Sequence, residues 1–147
     1  MTTAVVFSET ALAEVRRLAA AAYPAEGCGV LVGTLGDGGI AVDEVTSGRN
    51  LREDRAQDRY ELDPGAIVAA ERSARQRGRD IVGFWHSHPD HPARPSAFDT
   101  ERAWEDYVYV ICETSPTGAA DVRAHRLDGG TRTFAELPLR SAPARAV

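Results

Sequence analysis

The chain has 147 residues, of which 43% are hydrophobic and 27% are charged. This length suits a single domain, and the composition is typical of a folded globular protein, which excludes a disordered one. The formal net charge of −5 argues against a protein that binds nucleic-acid backbones, because such binding depends on neutralising phosphates. No apolar run approaches the roughly 20 residues that cross a bilayer, and the first residues do not resemble a secretory leader.

The first predicted elements are a helix and a hairpin. Ser8 is a suitable N-cap for a helix over residues 9–22, whose apolar side chains follow the helical spacing. A strand, a glycine-rich turn and a second strand are expected at residues 29–33, 36–39 and 40–45. A polar connection over residues 47–59 then leads to a short strand at residues 60–62.

The centre of the chain contains clear signals for the start and the end of a helix. Asp63 followed by Pro64 predicts the start of a second helix, since Asp caps helices well and Pro suits the first helical position. This helix runs to about residue 77 and ends at Gly78, the residue best suited to a left-handed turn. Residues 80–88 form an apolar strand that becomes polar at its end.

Helices and strands continue to alternate in the last third of the chain. A third helix is expected over about residues 96–106, and further strands at residues 107–113, 121–127 and 131–137. Interleaved strands and helices, with antiparallel hairpins at both ends, predict a mixed β-sheet covered by helices. We expect one domain over residues 1–140 and a flexible tail at residues 141–147.

The two cysteines do not form a disulfide framework. Cys28 and Cys112 both lie in apolar stretches, where a free Cys behaves as a small buried hydrophobe. This usage favours a reduced, cytoplasmic setting.

Residues 86–99 contain the candidate site. Side chains alternate along a strand, so His86 and His88 project from the same face and can hold one ion. Ser96 and Asp99 share a helix face three residues apart, which lets Asp99 add an anionic ligand. Two imidazoles and one carboxylate leave a tetrahedral position open, as in catalytic zinc sites.

A purely structural interpretation explains part of this pattern. Ser96 and Asp99 also fit a capping box at the start of a helix, which needs no metal. Histidines at strand ends are usually hydrogen-bonded. The cap does not explain why a histidine pair precedes it, and we therefore favour metal binding.

The arrangement His86-x-His88, seven residues, then Ser96-x-x-Asp99 resembles the signature of the JAMM metallopeptidases, the metal-binding branch of the MPN-domain family. Residues 23–29, Asn50 and residues 59–64 follow the family order. The resemblance implies the MPN fold, an α/β fold with a mixed β-sheet sandwiched by helices and cytidine-deaminase-like layering.

The resemblance also assigns roles to five residues. It implies one zinc ion per chain on His86, His88 and Asp99, with Glu26 as the general acid/base and Ser96 as the hydroxyl that stabilises the oxyanion. Without the resemblance, Glu26 would be interpreted as a solvated residue before a strand.

Structural or loop roles are expected for six further polar or aromatic residues. They are Trp85, Asp90, His91, Arg94, Cys112 and His125.

By resemblance to compact prokaryotic members, the expected function is zinc-dependent hydrolysis at the C-terminal Gly-Gly tail of a small ubiquitin-like β-grasp sulfur-carrier protein. An extended tail of this kind can lie along a sheet edge. A non-catalytic MPN scaffold that binds partners remains the alternative. A zinc nucleoside deaminase is disfavoured, because its His-x-Glu and Pro-Cys-x-x-Cys motifs are missing from the sequence.

Overall fold

The computed structural model describes residues 3–36, 39–52 and 59–143. Within these ranges the chain forms eight strands and three helices. The strands are β1 (Val5–Ser8), β2 (Cys28–Gly36), β3 (Gly39–Gly48), β4 (Asp80–Pro89), β5 (Val108–Ser115), β6 (Gly118–Asp128), β7 (Thr133–Leu137) and β8 (Leu139–Ala142). The helices are α1 (Glu9–Ala22), α2 (Pro64–Gln76) and α3 (Ala97–Arg102). None of them combines the length and apolar character that a bilayer-spanning helix needs.

All eight strands belong to one mixed sheet, in the order β7-β6-β5-β4-β2-β3-β1-β8. The neighbours β4 and β5 are parallel, as are β1 and both of its neighbours, whereas the other pairs are antiparallel. The edge strands β7 and β8 are separated in the chain only by Pro138, whose carbonyl accepts a 2.8 Å hydrogen bond from the Val5 amide. The sheet must therefore curl until its two edges meet.

Helix α1 packs against one face of the curled sheet. Ser8 caps it as predicted, because the hydroxyl accepts a 3.1 Å hydrogen bond from the Ala11 amide. One stripe of the helix is buried, formed by Ala11, Val15 and Ala19, and it joins a core cluster that includes Trp85. Burying a side chain such as Val15 contributes about 1.5–3 kcal/mol to the free energy of unfolding.

Helix α2 covers the opposite face. Asp63 accepts a 2.9 Å hydrogen bond from the Gly65 amide, and Pro64 occupies the first turn, as the sequence predicts. The helix ends at Gln76, and Gly78 beyond it adopts a left-handed conformation, with φ of 68°. Its buried residues Ala70 and Ala74 pack in a second core cluster with side chains of the sheet. The prediction of a mixed sheet between helices is confirmed.

Several predicted boundaries were wrong. The strands β1 and β8 have no counterpart among the elements predicted from the sequence, and residues 60–62 form only an isolated bridge between Leu62 and Asn50 instead of a strand. Helix α3 ends at Arg102, not near residue 106, because the Trp104 amide donates a 2.8 Å hydrogen bond to the Tyr109 hydroxyl and the chain leaves the helix.

The turn predicted at residues 36–39 and the predicted tail fall only partly within the described residues. Residues 37–38 and 144–147 lie outside them. Residues 141 and 142 belong to β8, so they extend the sheet instead of forming a free tail.

Candidate metal centre

Strand β4 presents the two predicted histidines on the α2 face of the sheet. His86 and His88 are buried, and their Nε2 atoms lie 3.1 Å apart. Ser87, between them, projects to the other side of the strand. Strand β4 pairs with β2 as far as His86 and with β5 as far as Pro89, so the backbone that carries His86 is held in the interior of the sheet.

The first turn of α3 brings Asp99 to the histidine pair. Asp99 Oδ2 lies 3.2 Å from His86 Nε2 and 3.2 Å from His88 Nε2. The capping box that the sequence predicts is also present: the Asp99 amide donates to Ser96 Oγ, and the Ser96 amide donates to Asp99 Oδ2. The cap and the approach of Asp99 to the imidazoles are thus compatible, since the cap orients the carboxylate.

The three donor atoms form a triangle that fits one metal ion. Ligands about 2.0–2.1 Å from a tetrahedral zinc ion lie about 3.3 Å from one another. The observed separations of 3.1 to 3.2 Å among His86 Nε2, His88 Nε2 and Asp99 Oδ2 match this value. Two nitrogens and one carboxylate oxygen are also the donor types of catalytic zinc sites, so the residues present fit such an ion.

The hydrogen bond at the far nitrogen of His88 supports this assignment. His88 Nδ1 lies 2.9 Å from the Pro92 carbonyl, which only accepts hydrogen bonds, so Nδ1 carries the hydrogen. In the neutral ring, the Nε2 lone pair then faces the Asp99 carboxylate. Two acceptors repel at this distance unless a cation lies between them, whether a proton or a metal ion. Such outer hydrogen bonds are typical of histidines that bind metals.

Electrostatic effects on the three groups differ. Burial lowers the pKa of His86. Burial acts in the same direction on His88, but hydrogen bonds to Asp99 and Pro92 outweigh it and raise the pKa of His88. The pKa of Asp99 is held far below its usual range, because interactions with the two imidazoles exceed the opposing effect of burial. Asp99 is therefore an anion throughout the physiological range.

Glu26 lies before β2 and is buried, with 5% of its surface exposed. Donor atoms of Glu26, His86 and His88 all lie within 4.8 Å of one another. The backbone beside Glu26 is fixed to β4, because the Gly27 amide donates to Ser87 Oγ at 2.7 Å and the Ser87 amide donates to the Gly27 carbonyl at 3.0 Å. At separations of up to 4.8 Å, one water molecule can bridge the Glu26 carboxylate and the imidazoles. Asp99, in contrast, lies in direct contact with both imidazoles.

Two residues that were given no role on the basis of the sequence support the centre. The Tyr60 ring stacks on His86, with centroids 4.4 Å apart and an interplanar angle of 21°. Asn50 Nδ2 donates to the Glu26 carbonyl at 3.2 Å and to the Arg59 carbonyl at 3.1 Å. No local pattern predicts the stacking of Tyr60. The position of Asn50 in the family order was the available signal for its importance.

The other candidates lie outside the triangle. His125 Nε2 contacts the Ala93 carbonyl at 3.0 Å, and Trp85 donates to the Thr46 carbonyl at 2.8 Å, which gives both residues structural roles. Asp90 accepts a 2.8 Å hydrogen bond from the Tyr23 hydroxyl. His91 and Arg94 are exposed, whereas Cys112 is fully buried in the core cluster that contains α1.

The chain resembles a known protein family and a named protein of another organism. The family described as prokaryotic homologs of the JAB domain matches residues 8–128. A desampylase of Haloferax volcanii is 40% identical over 124 residues, which cover 82% of this chain and 83% of that protein.

Two solution structures are also similar. A protein of Desulfitobacterium hafniense is 25% identical with a TM-score of 0.83, covering 95% of this chain and 94% of the other. A protein of Salinibacter ruber is 35% identical with a TM-score of 0.73, covering 96% and 94%.

Proposed function

The chain belongs to the family of prokaryotic homologs of the JAB domain and is a JAMM-type hydrolase, and from this premise we propose that it is a zinc-dependent peptidase or isopeptidase. Its proposed substrate is the C-terminal Gly-Gly tail of a small ubiquitin-like β-grasp sulfur-carrier protein. The observation that carries the proposal is the triangle of His86 Nε2, His88 Nε2 and Asp99 Oδ2.

We assign the metal to these three residues, with one zinc ion per chain. When bound, zinc supplies Lewis-acid polarisation of water and of the carbonyl under attack. His88 is oriented for this role by the Pro92 carbonyl, and Asp99 by the Ser96 amide. Because Asp99 stays ionised, it offsets one of the two charges of the ion and leaves the site cationic, which favours the negative charge that develops during hydrolysis.

We assign proton transfer to Glu26. One water molecule can bridge its carboxylate and the histidine pair, whose donor atoms lie within 4.8 Å of it. The carboxylate takes a proton from the water as that water attacks the carbonyl carbon. The same carboxyl then returns the proton to the departing amine. General acid–base catalysis of this kind typically contributes about 100- to 10,000-fold to a rate.

We assign oxyanion stabilisation to the Ser96 hydroxyl. Ser96 is exposed at the start of α3, and its Oγ accepts the Asp99 amide hydrogen through one lone pair. The cap does not use the hydroxyl hydrogen, which can be donated to the carbonyl oxygen of a substrate.

The substrate class rests on the relative that is named a desampylase and on the shape of the substrate that the family resemblance implies. Gly-Gly lacks side chains, so an extended tail of this kind can enter a narrow cleft that excludes bulkier residues. We place the reaction in the cytoplasm, where the buried thiols of Cys28 and Cys112 stay reduced.

The test uses the purified protein, elemental analysis, and a β-grasp carrier protein that bears a short peptide after its Gly-Gly. We expect about one zinc ion per chain and loss of the extension, seen by intact mass, which a chelator stops and added zinc restores. The Glu26→Gln variant should bind zinc without cutting. A protein without stoichiometric zinc, or full activity in Glu26→Gln, contradicts the proposal and favours the scaffold alternative.

A further inference from the structure

Residues 90–95 connect β4 to α3, so they join the strand that carries both histidines to the helix that carries Asp99. We call this segment the proline loop, because Pro92 and Pro95 lie in it and Pro89 precedes it. Prolines have no amide hydrogen, so such a loop makes few hydrogen bonds of its own. Its conformation therefore depends on hydrogen bonds from neighbouring elements.

The Pro92 carbonyl is the part of the proline loop that acts on the candidate metal centre. It accepts the Nδ1 hydrogen of His88 at 2.9 Å, which leaves the Nε2 lone pair of the neutral ring facing the Asp99 carboxylate. The same carbonyl accepts the Arg94 amide hydrogen at 2.8 Å, which closes a tight turn centred on Ala93. The position of Ala93 therefore determines where the Pro92 carbonyl lies.

Ala93 is held from outside the proline loop by a histidine of β6. His125 Nε2 lies 3.0 Å from the Ala93 carbonyl. A carbonyl only accepts hydrogen bonds, and burial lowers the pKa of His125, so the ring is neutral at neutral pH and carries its hydrogen on Nε2. Ala93 is 1% exposed and His125 is 3% exposed, so bulk water does not compete for this hydrogen bond.

The sheet fixes the direction from which His125 approaches. His125 is in register with Tyr109 on β5, which is in register with Phe84 on β4. Residues directly opposite each other share a face of the sheet, and alternation along β4 puts His86 on the same face as Phe84. The His125 ring also packs edge-on against Phe134, with centroids 6.2 Å apart. His125 therefore donates its hydrogen bond from a fixed position on the face that carries the metal centre.

We propose that His125 is a positioning residue for the metal centre, which fixes Ala93 and, through the tight turn, the Pro92 carbonyl that orients His88. This inference rests on the proposed function. Without the hydrogen bond from His125, the turn is free to shift, and the Pro92 carbonyl no longer holds the hydrogen of His88 on Nδ1. The Nε2 lone pair of His88 is then offered to a metal ion for only part of the time.

The test compares His125→Phe with His125→Gln. Phenylalanine keeps an aromatic ring against Phe134 but has no hydrogen to donate. The glutamine amide nitrogen lies as many bonds from Cβ as the Nε2 atom of histidine, so it can donate to the Ala93 carbonyl.

Zinc affinity is measured by competition with a chromophoric chelator. We expect His125→Phe to weaken zinc binding about 10-fold, the lower end of the range for groups that orient a metal ligand, because His125 acts one step further from the metal. His125→Gln should bind zinc nearly as tightly as the unsubstituted protein. Circular dichroism shows whether each variant is folded.

A second measurement needs no metal. The Arg94 amide donates to the Pro92 carbonyl, so its hydrogen exchange in the zinc-free protein reports whether the tight turn is kept. Exchange should be faster in His125→Phe than in the unsubstituted protein and should return to the original rate in His125→Gln.

A buried residue on the other face of the sheet gives the matched control for lost stability. Val15 lies on α1 in the core cluster that faces away from the histidine pair. Val15→Ala should therefore melt at a lower temperature but keep the zinc affinity and the rate of Arg94 exchange.

The two proposals fail in different ways. Unchanged zinc affinity in folded His125→Phe, or a loss that is as large in His125→Gln or Val15→Ala, overturns the positioning role and leaves the proposed function standing. Absence of stoichiometric zinc in the unsubstituted protein contradicts the proposed function and the positioning role with it.

Discussion

The two carboxylates near the histidine pair should separate metal binding from turnover. Asp99 Oδ2 lies 3.2 Å from both Nε2 atoms, whereas Glu26 belongs to a looser group within 4.8 Å. Asp99→Asn should therefore weaken zinc binding, and Glu26→Gln should leave it nearly unchanged. Both substitutions keep the shape of the side chain, and the amide oxygen at position 99 can still accept the Ser96 amide hydrogen that caps α3.

The expected magnitudes follow from the contacts. Losing a residue that only hydrogen-bonds to a metal ligand typically costs about 10- to 100-fold in affinity, so losing the anionic ligand itself should exceed about 100-fold. Glu26→Gln should lower kcat by about 100- to 10,000-fold, because it removes proton transfer alone. Zinc affinity is measured by competition with a chromophoric chelator, and turnover by intact mass of a carrier with a C-terminal extension.

A third carboxylate provides the control. Glu113 lies on β5 in register with His88 but outside the triangle, so Glu113→Gln should retain both zinc and turnover. If Glu26→Gln loses zinc as strongly as Asp99→Asn, Glu26 is a ligand and the division of roles is wrong. If neither substitution affects zinc, the triangle is not the metal site.

Three further predictions concern hydrogen bonding, close packing and burial in the sheet. Ser87→Ala leaves the partly buried Gly27 amide without its acceptor and should lower the free energy of unfolding by about 1 kcal/mol, measured in urea; an unchanged midpoint contradicts the role of this hydrogen bond. A Cβ at Gly29 would lie 1.8 Å from a β3 carbonyl oxygen, so Gly29→Ala should cost about 3 kcal/mol or more, whereas Gly65→Ala on α2 should be tolerated in the same thermal melts. Burial raises the pKa of Cys28 to about 12 and of Cys112 to about 11, so thiol reagents should react only near those pH values or after unfolding; rapid labelling at pH 8 would refute this burial.

The features that the sequence predicts correctly are local. The caps at Ser8 and Asp63 and the left-handed Gly78 each depend on a few neighbouring residues, and all three are observed. The end of α3 depends on a hydrogen bond to the Tyr109 hydroxyl, which no pattern within the helix reveals. The strand β1 has only four residues and pairs in parallel with distant segments, so it carries no hairpin signal.

The same division applies to the candidate site. Strand alternation puts His86 and His88 on one face, and the i, i+3 spacing of Ser96 and Asp99 predicts the capping box. The approach of Glu26 depends on hydrogen bonds between segments 60 residues apart in the chain, and only the family resemblance led us to expect it. The roles of these residues in binding and catalysis stay predictions until the variants are measured.

The junction of β7 and β8 at Pro138 affects how the protein unfolds. A flat sheet can lose its outermost strand first and keep the remainder intact. In this curled sheet, releasing β8 also uncovers β1, the strand that leads directly into α1, and it loosens β7 at the opposite margin. The two margins and α1 thus form one cooperative unit, which favours a single unfolding transition over stepwise fraying.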